Sequence, residues 1–283
     1  MYHLLKIIGF FLKLIPRKFG YLLFDFFSIF FFVFTPKKRN NLKKNLSVVL
    51  NRNKISSKLL TDVYKNYARY YFDLFYPKNS LIKYIDEKLF QNTKNTILSY
   101  LEKYNGCLIA SLHIGNWDLG GTYLSYLFPG KVNVVVERLS PDMFRWFKET
   151  RENFGMKVIE STDIKTMLKV LKNKEILVLL CDRDLEKTGF IIDFFGKKAY
   201  IPSGPVKLAL TAKVPILFAF LLRNKNEPLK FVPSSLPPNL NLDTLERNKQ
   251  NIMYLTKQLI FKMEEIIKEN PEQWCMLQNI WYE

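Results

Sequence analysis

Histidine is scarce in this chain. Only His3 and His113 occur among 283 residues, which excludes HExxH zincins and multi-histidine metal sites and leaves one imidazole in the body of the chain. Cysteine is nearly as rare. Cys107, Cys181 and Cys275 lie far apart with no CxxC, so neither a disulfide framework nor a zinc site is expected, and a reducing compartment is the simpler reading. Eleven glycines and thirteen prolines are too few for a collagen-like or low-complexity chain. No G-x-S-x-G turn offers a serine nucleophile, and no G-x-G-x-x-G follows a strand-like run, which disfavours an acyl-serine enzyme and a nucleotide cofactor. Gly189–Lys198 has six residues between its glycines and no Ser or Thr after its lysine, so it is not a Walker loop. Acids are also short: 26 Asp+Glu stand against 43 Lys+Arg, a net charge of +17. That excess asks for an anionic partner, whether nucleic acid, an anionic membrane surface or a phosphorylated substrate.

Apolar residues, by contrast, are plentiful. At 48% hydrophobic content with 24 Phe, the chain can bury one substantial core and is not disordered. Much of the basic excess is concentrated at one end, where residues 1–70 hold fourteen Lys/Arg and only two acids, Asp25 and Asp62. The same stretch contains Ile7–Ile15 and Phe19–Phe34, greasy runs interrupted by Lys13 and Asp25. The second run is shorter than the roughly 20 residues a spanning helix wants, and Thr35-Pro36-Lys37-Lys38-Arg39 is no signal-peptide cleavage site. Phe-rich runs interleaved with Lys and Arg suit helices lying in a bilayer interface against anionic headgroups. A greasy 16-residue run is the wrong surface for nucleic acid. Residues 1–50 therefore read as basic, membrane-associating helices and residues 51–283 as one α/β domain.

Within that domain, Ile55–Tyr76 and Leu81–Tyr104 have helical spacing. Short aliphatic runs then follow at Cys107–Leu112, Val132–Val136, Lys157–Ile159, Ile176–Leu180 and Pro215–Leu222, each strand-like. Between them lie helix-period segments at Thr122–Leu127, Pro141–Phe154, Asp163–Leu171 after a Thr162 cap, and Pro205–Ala212. Phe190–Phe195 and Lys197–Ile201 read as a hairpin inserted in this order, and a helical segment Leu242–Glu269 closes the domain before Pro271. Strand–helix alternation predicts a mostly parallel sheet flanked by helices on both faces.

Reactive groups in such a sheet gather beyond the carboxyl ends of the strands. His113 falls there, directly after Cys107–Leu112, and Asp118 follows it in an H-x4-D spacing. The chain could fold back so that Asp118 receives the imidazole N–H, fixes its tautomer and stabilises the imidazolium; a surface histidine in a loop is the bland alternative. Asn116 is placed to cap the following helix. Asp182-Arg183-Asp184 ends another strand, and Arg151 ends the helix after Val132–Val136. Either arginine suits a phosphate or an oxyanion, although a solvated helix face for Arg151 and a turn or salt-bridge role for the aspartates remain open. Glu137-Arg138 is a lesser candidate.

Five segments taken together, SLHIGNWDLGG (111–121), RENFGMKV (151–158), LLCDRDL (179–185), IDFFGKKAYIPSGPVKLAL (192–210) and PEQWCMLQNIW (271–281), resemble the lipid A biosynthesis acyltransferase family, which includes the phosphatidylinositol mannoside acyltransferases. The resemblance implies a glycerol-phosphate-acyltransferase-like α/β fold at the cytoplasmic face of the inner membrane. It implies an O-acyltransferase moving a fatty chain from an acyl carrier protein or coenzyme A thioester to a glycolipid hydroxyl, without metal or redox cofactor. By the same resemblance His113 is the general base and Asp118 its orienting carboxylate, while Arg151, Asn116, Trp117, Arg183, Asp184, Asp193 and Gly204 line the substrate site. The DRDL and P-x-G-P spellings are closer to the mannoside acyltransferases, yet the acceptor, a lipid A precursor or a phosphatidylinositol mannoside, stays open. Two other readings stand beside this one: a non-catalytic basic protein binding membrane or nucleic acid with the same fold, and a thioester hydrolase using water as acceptor.

Overall fold

A computed structural model describes residues 1–137, 140–184, 186–236 and 245–282. Helices α1 (Tyr2–Leu12), α2 (Arg17–Phe34), α3 (Pro36–Val49), α4 (Ser57–Phe75), α5 (Lys78–Ile82) and α6 (Glu87–Lys103) come first. The chain then alternates through β1 (Gly106–Ser111), α7 (Trp117–Leu127), β2 (Val132–Val136), α8 (Pro141–Asn153), β3 (Lys157–Glu160), α9 (Ile164–Leu171) and β4 (Glu175–Leu180). A hairpin, β5 (Phe190–Phe194) and β6 (Lys197–Ile201), leads into α10 (Gly204–Ala212), β7 (Ile216–Arg223), β8 (Phe231–Leu236), α11 (Lys249–Glu269) and a 3-10 turn at Pro271–Gln273.

The fold is α/β, mostly helical, around one six-stranded sheet in the order β3-β2-β4-β1-β7-β8, with all neighbours parallel except the antiparallel β7–β8 pair. Central strands of a parallel sheet are covered on both faces, which is why β1 reads as an unbroken apolar run and has every residue buried. Successive side chains nevertheless go to opposite sides. Leu108 and Ala110 join the core under α9, α10 and α11, while Cys107 and Ile109 join the one under α6, α7 and α8.

Several expectations are adjusted by packing. The expected hairpin at Phe190–Phe194 and Lys197–Ile201 is present between β4 and α10, as its own two-stranded sheet. Strand β8 has no clear signature in the sequence because Pro233 interrupts it; at a sheet edge the missing N–H leaves no ladder bond unmade. The segment Leu81–Tyr104 breaks after α5, where Ile85 turns extended to bridge Phe231. Helix α7 begins at Trp117, earlier than its apolar period suggests, because Asn116 Oδ1 accepts the Leu119 N–H at 3.0 Å. Asp163, not Thr162, caps α9 by accepting from Thr166 N at 3.0 Å. In the closing segment the helix runs from Lys249, capped by Asn248; residues 242–244 of that expectation, with Arg138 and Leu185, lie outside the described residues.

The three N-terminal helices rest on the α/β body. Gly20 of α2 meets the Phe72 ring of α4 so closely that a Cβ there would lie 2.0 Å from Phe72 Cζ, and Arg69 Nε binds Asp25 Oδ1 at 2.7 Å. From α3, Leu42 and Leu46 are buried with Leu60, Val63 and Leu277, and Asn45 Nδ2 donates to the Met276 and Gln278 carbonyls, each at 2.8 Å. The opposite faces of α1 and α2 are bare: Phe10, Phe11, Phe19, Phe26, Phe30 and Phe34 are all exposed. No single helix among the described residues is long and apolar enough to cross a membrane; α2 and α3 pass together, but they are bent by 95° at Thr35.

Candidate active site

The parallel register of β1 on β4 pairs Ser111 with Leu180. Two residues further on, the chain therefore brings His113 level with Asp182, beyond the carboxyl ends of adjacent central strands. The contact is close. His113 Nδ1 lies 2.7 Å from Asp182 Oδ1, and the His113 backbone N–H donates to Oδ2 at 3.0 Å. The Trp274 indole Nε1 donates to the same Oδ2 at 2.9 Å. Trp274 is set there by the last stretch of chain, which crosses the histidine loop: Gly115 N donates to Gln273 O at 3.1 Å and Cys275 N to His113 O at 2.8 Å.

Asp182 is fully buried. Burial alone would raise its carboxyl, but the facing His113 imidazole and the hydrogen bonds from His113 and Trp274 outweigh it and hold it below the usual carboxylate value. An ionised carboxylate only accepts, so Nδ1 of His113 carries a proton, and in the neutral ring the lone pair is on Nε2. The imidazole is packed edge-to-face against Trp117, with ring centroids 5.3 Å apart, and keeps a partly open edge.

This corrects the expected pairing of His113 with Asp118. Asp118 sits inside the first turn of α7, and both of its oxygens point to other groups. Arg151 grips it with Nε at 2.6 Å and Nη2 at 3.1 Å, and the Tyr70 hydroxyl donates to Oδ2 at 2.5 Å. Burial opposes the charge on Arg151, but Asp118 more than offsets this and keeps the guanidinium firmly protonated; the same burial pushes the Tyr70 hydroxyl well up, so it remains a neutral donor. Tyr70 stacks on Trp117 at 4.0 Å. The Asp118–Arg151–Tyr70 cluster thus braces the helix that follows the histidine loop, alongside a His113–Asp182–Trp274 chain.

The other expected positions separate. Arg183 reaches Glu137, its Nη2 2.6 Å from Oε2, while its buried Nε has no partner among the described residues. Asp184 Oδ2 accepts Gly189 N at 2.6 Å and ties the turn into β5. Asp193 is exposed and faces its cross-strand neighbour Lys198. Gly204 opens α10 with open space where a Cβ would stand. The FFG block touches the histidine cluster at one remove, through Phe194 packed edge-on to Trp274. Tyr70 and Trp274 went unassigned in the sequence: Tyr70 is one of many aromatics at helical spacing, and Trp274 lies 161 residues from His113.

All three cysteines are buried thiols. Burial pushes Cys107 and Cys275 up to about 12 and Cys181 higher still, so none is a thiolate nucleophile near neutrality. Among the described residues no three His, Cys, Asp or Glu side chains gather where they could hold a metal ion.

What this arrangement can do is take a proton from a hydroxyl brought to His113 Nε2. The chain is 25% identical over 256 residues to a phosphatidylinositol mannoside acyltransferase of Mycobacterium tuberculosis (strain ATCC 25618 / H37Rv), covering 85% of this chain and 76% of that protein. It is 27% identical over 251 residues to the protein of the same name from Mycolicibacterium smegmatis (strain ATCC 700084 / mc(2)155), covering 85% and 78%. The family model for bacterial lipid A biosynthesis acyltransferases matches residues 1–283 from end to end. The chain therefore belongs to the bacterial lipid A biosynthesis acyltransferase family, and it is an O-acyltransferase.

Proposed function

We propose that this acyltransferase moves a fatty acyl chain from an acyl carrier protein or coenzyme A thioester to a hydroxyl of a membrane glycolipid, with His113 as general base and Asp182 as the carboxylate that orients it. The observation that carries the reading is the 2.7 Å contact between His113 Nδ1 and Asp182 Oδ1. The substrate hydroxyl gives its proton to Nε2 as its oxygen bonds to the thioester carbon, and Asp182 stabilises the imidazolium that forms. The carbon–sulfur bond then breaks, and the imidazolium returns the proton to the departing thiolate. The thioester supplies the driving force, and this sequence of steps calls for no metal or redox cofactor.

A glycolipid acceptor accords with the family and with relatives named for phosphatidylinositol mannosides. The bare Phe-rich faces of α1 and α2, backed by Lys and Arg, suit the cytoplasmic surface of the inner membrane, and the sheet with histidine after its first strand suits a glycerol-phosphate-acyltransferase-like fold. Net charge of +17 favours phosphorylated headgroups and an acidic donor carrier alike. Arg151 is committed to the buried Asp118, whereas Arg183 pairs with the partly exposed Glu137, and Arg183 is the better candidate of the two for a phosphate or the oxyanion. Trp117, Asp184, Asp193 and Gly204 remain substrate-site proposals, whereas Asn116 is buried with its oxygen on Leu119 N and its NH2 on Asp73.

The test is His113→Ala, assayed with labelled palmitoyl-coenzyme A or palmitoyl-carrier protein and total membrane glycolipids. Transfer falls about 10²–10⁴-fold if His113 is the base; near wild-type transfer by a folded variant removes the mechanism. Free fatty acid released without acylated lipid would point to hydrolysis instead.

A further inference from the structure

Helix α2 has two faces that do different things. Its outer face presents Phe19, Phe26 and Phe30 to the surroundings. Its inner face, one helical turn apart, carries Arg17 and Tyr21, both buried. These two side chains meet Asp73, which is itself buried near the end of α4. Arg17 donates to Asp73 from Nε at 3.0 Å, and the Tyr21 hydroxyl donates to Oδ2 at 2.8 Å. Burial, more than any neighbouring charge, pushes the Tyr21 hydroxyl up, so it stays protonated as a donor.

The same carboxylate faces the histidine loop. Asn116 Nδ2 donates to Asp73 Oδ2 at 2.9 Å, and Asn116 is the residue whose oxygen caps α7, three positions beyond His113. A second route leads there as well. Arg223, at the end of β7, approaches Asp73 at 3.4 Å and donates to the Tyr21 hydroxyl at 2.5 Å. Its backbone exchanges two hydrogen bonds with the Gln273 amide, at 2.7 and 2.9 Å, and the Gln273 carbonyl accepts Gly115 N at 3.1 Å. Gly115 and Asn116 are thus held from behind by a polar cluster that only α2 completes. Removing a member leaves a buried charge or donor short of a partner, so the contacts of the cluster depend on one another.

We infer that Asp73 is a positioning residue through which the seating of the lipid-facing helix α2 sets the geometry of the His113 loop, so that acyl transfer depends on α2 being docked. The inference rests on the proposed acyl-transfer reading for its kinetic arm only. Asp73 touches no reacting atom; it acts through Asn116 and, by way of Arg223 and Gln273, through Gly115. Misplacing a catalytic group by about an ångström costs up to ~10²-fold, so a small loosening of this loop is enough to be measured.

The experiment uses the full chain in detergent or in vesicles of phosphatidylglycerol and phosphatidylcholine. Tyr21→Phe removes one hydroxyl from the α2 side, Arg17→Lys is the second α2 variant, and Asn116→Ser removes the donor to Asp73 while keeping an oxygen able to cap α7. Hydrogen exchange is followed by mass spectrometry. Amides of residues 115–120 exchange about tenfold faster in both α2 variants while those of α9 and α11 keep their protection. Unchanged exchange at 115–120, or a uniform rise across the molecule, overturns the inference, and neither result depends on any activity. In transfer from palmitoyl-coenzyme A, Tyr21→Phe and Asn116→Ser each lower kcat about tenfold with KM little changed, and the double variant falls no further than the worse single one. Multiplying effects on kcat would mean the two residues act independently and would overturn it. Wild-type protein that transfers no acyl group would count against the proposed function and leave the exchange result to stand.

Discussion

Replacing Asp182 by asparagine is the sharpest perturbation this site allows, because the surroundings dictate how the amide must sit. One oxygen of Asp182 accepts two N–H groups, from the His113 backbone at 3.0 Å and the Trp274 indole at 2.9 Å; the other faces His113 Nδ1 at 2.7 Å. An asparagine NH2 turned toward the first pair would meet two donors. The amide oxygen therefore takes that place and the NH2 group faces Nδ1. Nδ1 must then accept, the ring proton moves to Nε2, and the lone pair needed to take the substrate proton is gone. The negative charge that would stabilise the imidazolium is lost at the same time. Volume and hydrogen-bond count hardly change, so the protein stays folded. Transfer should fall about 10²–10⁴-fold, equivalent to roughly 3–6 kcal/mol of transition-state stabilisation. The assay is the initial rate of labelled palmitoyl transfer from its thioester to membrane glycolipid, with circular dichroism matched to the wild type at the assay temperature. A folded Asp182→Asn protein that transfers at close to the wild-type rate would refute both the tautomer argument and the role of Asp182.

Four further outcomes follow from the same contacts. Arg151→Ala leaves Asp118 buried with only Tyr70 beside it and should cost about 3–5 kcal/mol in urea unfolding; a loss below about 1 kcal/mol would mean that the Asp118 pair contributes little. Gly115 has φ +62° and a Cβ there would lie 2.1 Å from the Leu221 carbonyl, so Gly115→Ala should lower stability by at least ~1–3 kcal/mol, measured by the same titration. The Asp182 carboxyl is depressed in the folded protein, so its contribution to stability is present above the ordinary value of 3.8 and is lost as pH falls through the depressed folded value; the stability advantage of wild type over Asp182→Asn should shrink as pH drops below 3.8, and a constant gap would contradict it. Finally, Phe26→Ser with Phe30→Ser removes two exposed rings from α2. Burying each is worth up to ~1.5–3 kcal/mol, so co-sedimentation with anionic vesicles should weaken at least tenfold, and unchanged binding would sink the interfacial role of that face.

Local chemistry decided what could be read from the chain directly. Short aliphatic runs such as Val132–Val136, broken only by Asn133, announced strands of a covered sheet, and the helix over Pro141–Asn153 had its proline at the start and Gly155 just past its end. Phe231–Leu236 escaped because an edge strand tolerates the proline that a central strand forbids. His113 was conspicuous by its rarity and its place after a strand, and the segment Cys181–Asp184 by its place after another.

Sequence by itself therefore determined which groups are present at the sheet's active edge: one imidazole, a set of carboxylates and two arginines, beside a greasy, basic N-terminus. Only the tertiary structure decided how they pair. Spacing along the chain put Asp118 five positions from His113, but the first turn of α7 carries that carboxylate round to Arg151 and Tyr70. Asp182, 69 residues away, arrives instead because β4 lies beside β1 in parallel register. Strand order and register arise from which faces bury together over the whole molecule, and no local window of sequence contains that information.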